Sequence, residues 1–313
     1  MPHDLVLHHY PNSPFSEKIR LILGHKKLAW KSVVIPNIMP KPDVVALTGG
    51  YRRTPFLQIG ADIYCDTALI CDVLEHRVPT PTLYPEHHKG LARIVAQWAD
   101  SSLFWAAMGY NLSAKGVATM FAGAPAGVAE AFAKDRGAMR SGMPRVPAGD
   151  ATAAYRSYLR RLADTIDHSP FLLGDAPCVA DFSAYHPLWF SRVRNPAMAG
   201  IFEPVPQLLD WMDRIAEIGH GTMEKFSSDA ALALAKSSTP ASVADDFFQD
   251  EHGIALGSRV TVTAESFGIE PTEGELVAAA RTFYVLRRTD ERAGTVHVHF
   301  PRIGFVLKKA ETS

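Results

Sequence analysis

The first eighty residues of this chain are punctuated in a way that admits few folds. An apolar run at Leu5–Leu7 predicts a strand, and Asn12-Ser13-Pro14 then predicts a helix start, because Ser suits the N-cap and Pro the first helical position. Phe15, Ile19, Ile22 and Leu23 follow at helical spacing. A second strand is expected at Trp30–Ile35, closed by Pro36, and the stretch 37–50, with Pro40, Pro42 and Gly49-Gly50, reads as a loop carrying one short helix. Pro55–Ile59 and Asp62–Cys65 flank Gly60-Ala61 at the spacing of a tight hairpin. Asp66 then caps a helix with an apolar face of Leu69, Ile70, Val73 and Leu74. The order is strand, helix, strand, helix, strand, strand, helix, and it breaks at Pro79–Pro85. We assign a small α/β domain to residues 1–80.

The character of the chain then changes twice. Helical periods recur around Ile94, Trp98 and Leu103 and again around Tyr155, Leu159, Leu162 and Ile166, with no convincing alternating strand. Residues 88–236 are expected to be all-helical, the Ala-, Gly- and Pro-rich stretch 121–149 supplying one helix between looser loops. Beyond Ser237, the segments Val260–Thr263, Thr282–Leu286, Thr295–Phe300 and Gly304–Leu307 alternate or run apolar, so 240–313 predicts a small β-rich domain packed on the rest. The expected fold class is therefore α/β plus all-α, with a β-rich appendix. A net charge of -1, with basic pairs scattered along the chain, forecasts no nucleic-acid footprint. The N-terminus carries no secretory pattern, and the longest uncharged apolar stretches, around 101–114 and 116–129, are interrupted by Ser, Gly, Asn and Pro. Cys65, Cys71 and Cys178 are odd in number and lack metal-ligand spacing. A soluble protein of the reducing cytoplasm, without membrane association, is the expectation.

Three features of the first domain are distant in sequence but would converge if the domain is similar to the thioredoxin topology, which its element order resembles. Ser13-Pro14-Phe15-Ser16 opens the first helix, whose N-terminus carries roughly half a positive charge and unpaired N–H groups that favour a thiolate. A free thiol is only about 3% ionised at pH 7, and a hydroxyl donating to its charged form supplies about 1.5–3 kcal/mol. Thr54-Pro55 precedes a strand, a place where the main chain can pair with a peptide-like ligand. Asp66-Thr67 opens the last helix of the domain, offering an acid, a hydroxyl and free N–H groups to the amino and carboxylate groups of an amino acid. Taken singly, these are an N-cap, a strand start and a capping Asp.

Together, Ser13-Pro14-Phe15, Thr54-Pro55-Phe56-Leu57 and Asp66-Thr67 resemble the N-terminal domain of the glutathione transferase superfamily, over about residues 4–235. Pro170–Asp175 followed by Ala180-Asp181-Phe182 looks like that family's buried helix start, with Cys178 where a Ser or Thr normally caps, a change expected to weaken the box. The resemblance implies a thioredoxin-like first domain that holds glutathione, a helical second domain and, commonly, a homodimer. It implies Ser13 as the catalytic hydroxyl, with Phe15, Thr54, Pro55, Asp66 and Thr67 forming the glutathione site and no metal required. A Ser rather than a Cys at position 13 disfavours disulfide exchange, and Ser16 and Tyr10 are alternative hydroxyl donors. The implied reaction, of the kind used in detoxification, transfers glutathione to a hydrophobic electrophile or uses it to reduce a peroxide. Phe104, Trp105, Met108 and Tyr110 would line the co-substrate pocket or simply form core. The appendix departs from the family. Its His297 and His299 alternate on one strand face, where two solvent-facing histidines are the ordinary expectation and a metal or anion site the sharper one. A second reading is a non-catalytic glutathione-binding or assembly module whose function lies in the appendix.

Overall fold

The computed structural model describes residues 4–140, 142–243 and 248–310; Met1–His3 and parts of the segment expected over 240–313 lie outside the described residues. The first domain runs β1 (Leu5–His9), α1 (Pro14–His25), β2 (Ala29–Val34), α2 (Pro42–Thr48), β3 (Phe56–Ile59), β4 (Asp62–Cys65) and α3 (Thr67–Arg77). β1 pairs parallel with β2 and antiparallel with β3, which pairs antiparallel with β4. Period-two alternation divides the apolar residues between two cores: Leu5, Leu7 and Leu57 face α1, α3 and the helical region, while Val6, Phe56 and Ile63 face the opposite side with Val44 and Leu47 of α2. α1 is wedged between sheet and helices so tightly that even Lys18 and Arg20 are buried.

The helical region contains α4 (Lys89–Trp98) and α5 (Phe104–Asn111), joined by a π-helical turn over Ala99–Leu103, then α6 (Ala114–Met120), α7 (Val128–Met139), α8 (Ala148–Thr165), α9 (Val179–Trp189) and α10 (Gln207–Ala216). α9 is buried along its whole length. The capping box at its start is complete despite the cysteine: the Cys178 sulfur accepts from the N3 backbone, and Asp181 Oδ2 accepts from the Cys178 N–H at 3.0 Å. Asp181 Oδ1 also accepts from Leu172 N–H and Trp211 Nε1, so the carboxylate is held from three sides. One correction falls in this region. β5 (Thr222–Lys225) pairs parallel with β2, although its residues are all exposed and show no apolar alternation; its bonds are main-chain only, so no side-chain pattern announces it.

After α11 (Ser228–Ser237) come β6 (Arg259–Ala264), β7 (Thr272–Ala279), β8 (Phe283–Asp290), β9 (Gly294–Pro301) and β10 (Phe305–Lys309). Rather than stacking as a separate sheet, these strands continue the first. β9 pairs parallel with β4, giving one ten-stranded sheet in the order β10-β6-β7-β8-β9-β4-β3-β1-β2-β5. Val296, Val298 and Phe300 thereby join the core that holds Val6 and Ile63, and Ala231, Leu232 and Ala235 of α11 cover it. Among the described residues, no helix is long and apolar enough to cross a membrane.

Candidate functional site

Ser13 is the N-cap of α1, with φ -79° and ψ 122°, and its Oγ accepts the Ser16 N–H at 3.2 Å. Having accepted that bond, the hydroxyl retains its proton for donation. Ser16 is fully buried and its Oγ has no partner among the described residues. Tyr10 is half-buried, and its hydroxyl accepts from Arg136 at 3.2 Å. The Thr54–Pro55 peptide is cis, and Thr54 Oγ1 is another buried hydroxyl without a partner.

Asp66 is the most constrained of the predicted site residues. Its φ of 74° with ψ of 139° is a combination that L residues rarely adopt and that costs about 1–3 kcal/mol unless its surroundings impose it. Here the Asp66 N–H donates to the Tyr51 hydroxyl at 3.1 Å, and its Oδ1 accepts from Ala68 N–H at 2.9 Å. Burial pushes the Asp66 carboxyl up from its ordinary value, against the Ala68 N–H and the charges of Arg53 and Lys18. A cationic group placed against it would offset that cost. Next to it, Thr67 Oγ1 accepts from Lys18 Nζ at 3.1 Å, which leaves the Thr67 hydroxyl proton directed elsewhere.

Lys18 reaches across to the helical region, where its Nζ lies 2.6 Å from Asp100 Oδ2 in the π turn; Asp100 Oδ1 meets His186 Nε2 of α9 at 2.9 Å. The Phe15 ring packs on Phe104 at 4.7 Å and on His186 at 4.5 Å, so this predicted site residue fastens the start of α1 to the second region. Of the expected pocket residues, Met108 is buried core, and the Tyr110 hydroxyl donates to the Met198 carbonyl at 2.9 Å. Trp105 instead turns outward to Phe267, at 5.1 Å, and to the Arg140 guanidinium, also at 5.1 Å.

Two segments close over the first domain. From α7, Asp135 Oδ1 accepts from Arg52 at 2.8 Å and from Met39 N–H at 3.1 Å, while Arg136 donates to Tyr10 and to the Asn37 carbonyl. From the appendix, the loop between β6 and β7 inserts beside Thr54: Arg53 donates to the carbonyls of Ser266 and Phe267, and Gly268 N–H donates to the Met139 carbonyl at 2.7 Å. Gly268 has φ 72°, a left-handed conformation that favours glycine, and a Cβ there would lie 3.0 Å from Met139 Cε, the flexible end of that side chain. Beneath α7 lies Lys41, buried between Pro40 and Pro42, its Nζ 5.8 Å from the Tyr10 ring centre. Burial, with the charges of Arg136 and Arg52 adding to it against Asp135, lowers Lys41 to about 8. Sequence reading missed Lys41, Arg136, Lys18 and Asp100, since no motif marks a lone lysine or a pair separated by 82 positions. His297 and His299 are corrected: both are buried, not solvent-facing.

The Glutathione S-transferase, N-terminal domain family matches residues 7–82, and the Glutathione S-transferase, C-terminal domain family matches residues 121–214. A GST-like protein from Pseudomonas syringae, known from its crystal structure, is 41% identical, covering 99% of this chain and 100% of its own, with a TM-score of 0.83. That coverage takes in the appended strands. A glutathione S-transferase domain-containing protein from Marinobacter aquaeolei is similar at 18% identity over 67% of this chain and 97% of its own, TM-score 0.52. The Tau class enzyme from mango stands at 17% over 68% and 88%, TM-score 0.50. These two likenesses concern the fold alone. No curated protein matches.

Proposed function

Because this chain belongs to the glutathione S-transferase superfamily, we propose that it binds glutathione and activates its thiol through Ser13 for transfer to a hydrophobic electrophile or for reduction of a peroxide. The observation that carries this reading is the strained Asp66 beside a Thr67 whose hydroxyl is oriented by Lys18. The γ-glutamyl ammonium sits against Asp66, and its α-carboxylate takes the Thr67 hydroxyl and the free N–H groups at the start of α3. The cysteinyl main chain pairs with Thr54, next to Pro55. The glycyl carboxylate is received by Lys41, the buried cation under α7. The sulfur then lies at the N-terminus of α1, where Ser13 donates to the thiolate.

No cysteine of the chain competes for the chemistry. Cys65, Cys71 and Cys178 are free and buried, and burial holds Cys71 and Cys178 up at about 12, so the reacting thiol is the one glutathione brings. The co-substrate lies between the first domain and Trp105, under the loop that carries Phe267. We expect the protein to work as a homodimer in a reducing cytoplasm, in keeping with its family.

Calorimetry of glutathione binding and ultraviolet titration of the bound thiol test the proposal. Asp66→Ala should weaken binding by about 1.5–3 kcal/mol. Ser13→Ala should raise the pKa of the bound thiol by about one to two units at little cost in affinity. A wild-type titration retained by Ser13→Ala but shifted upward in Tyr10→Phe or Ser16→Ala assigns the role to that hydroxyl instead. The insertion of the 265–270 loop between the domains favours a second reading, a glutathione-binding module without turnover. Bound glutathione of ordinary thiol pKa, with no conversion of any electrophile, would decide for it.

A further inference from the structure

We propose that Asp62, His297 and His299 form a divalent metal site, suited to zinc, at the seam where the appended strands join the first sheet. β4 and β9 run parallel there, with Asp62 opposite His297 and Tyr64 opposite His299, and the period of two puts all three polar side chains on one face. All are buried, Asp62 at 4% exposure, His297 at 8% and His299 at 6%. Their ligand atoms lie within 4.8 Å of one another.

Two separations define the cluster. His299 Nε2 is 2.8 Å from Asp62 Oδ1, a hydrogen bond, whereas His297 Nδ1 is 3.8 Å from the same oxygen and has no hydrogen-bond partner among the described residues. A buried, unpaired ring nitrogen facing a carboxylate oxygen is costly to leave so. A tetrahedral ion with bonds of about 2.0–2.1 Å places its ligand atoms roughly 3.3 Å apart, between those two separations, and small side-chain rotations make them equal. Two imidazoles and one carboxylate form a borderline N,N,O set, with water as the fourth ligand.

The surroundings hold the ligands in place. Asp62 Oδ2 accepts from the Ala241 N–H at 2.8 Å, leaving Oδ1 for the ion, and the Tyr64 ring stacks on His299 at 4.4 Å. On binding, His299 shifts its proton from Nε2 to Nδ1, and the ion replaces the His299–Asp62 hydrogen bond. Only three residue pairs register β4 on β9, so an ion joining both strands would fasten the seam where main-chain pairing is short.

The test uses the full chain, stripped with a chelator and titrated with zinc alone by calorimetry, with cobalt as a spectroscopic probe. We expect one zinc per chain, a zinc-dependent rise in melting temperature, and a cobalt spectrum of nitrogen and oxygen ligation in four-coordinate geometry. His297→Ala and Asp62→Asn should each lose at least tenfold in affinity, while His88→Ala, which alters an exposed histidine, should not. Should Asp62→Asn fail to fold, His297→Ala carries the comparison, its melting curve showing that it is folded. Folded wild-type protein that takes up no zinc, or zinc bound equally by wild type and His297→Ala, overturns the proposal.

Discussion

Replacing Asp100 by Leu should expose how the two halves of the binding site are fastened. Lys18 has 1% side-chain exposure and Asp100 19%, with 2.6 Å between charged atoms. Burial opposes Lys18's charge, but Asp100's carboxylate nonetheless holds its pKa above the ordinary value. Removing the carboxylate leaves an ammonium buried with only the Thr67 hydroxyl, and breaking such a pair from one side costs about 3–5 kcal/mol. Lys18→Met should cost a similar amount, by leaving the Asp100 carboxylate without its cation and with His186 Nε2 as its remaining partner at 2.9 Å. In the double variant no unpaired charge remains, and the residual loss is that of His186 Nε2 without its acceptor, about 1–3 kcal/mol. The double variant should therefore be more stable than either single one, a coupling of several kcal/mol readable from urea denaturation followed by tryptophan fluorescence. Strictly additive losses would refute the idea that charge burial dominates at this joint.

Lys41→Met should weaken binding of S-methylglutathione by about 1.5–3 kcal/mol at pH 7. Wild-type affinity should fall as the pH rises through about 8, where Lys41 loses its proton, and subtracting the profile of the variant isolates this step by calorimetry. His8, stacked on Phe56 and bonded to Gln58, is held by burial at about 4. The unfolded chain takes up that proton near 6.5, so the folded state loses about 3 kcal/mol of stability between pH 6.5 and 4, and His8→Phe should flatten this part of a stability profile. Gly50→Ala would set a Cβ 2.1 Å from the Pro271 carbonyl oxygen, backbone against backbone, and should cost about 1–3 kcal/mol in the urea midpoint while loosening amide protection in β7.

The sequence declared those elements whose side chains differ across an inside and an outside. Ser13-Pro14 and the Gly60-Ala61 hairpin fall where their chemistry places them, and Asp66 caps α3 as read. β7 escaped notice because its inward positions include Thr272 and Gly274, too small or polar to read as an apolar alternation, although both are buried. The continuity of the sheet was also hidden, since strands that alternate identically can stack or extend an edge. The same holds for the site. Asp66-Thr67 stands in a local motif, whereas Arg136 meets Tyr10 only through the tertiary docking of α7, and Lys41 comes over the Tyr10 ring from a loop with no motif to mark it.

The pairing of β9 with β4 also imposes a schedule on synthesis. Asp62 meets His299 across 237 positions of chain, so at roughly 5–20 residues per second a nascent β4 waits on the order of 10–50 s for its neighbour. Through that interval its open edge can recruit any extended segment, including β4 of another nascent chain. A carboxylate at the head of β4 guards such an edge, because two copies brought together there would bury like charges. Asp62 would thus guard the edge during synthesis before it becomes the partner of two histidines, and Asp62→Asn should leave more protein in inclusion bodies than wild type.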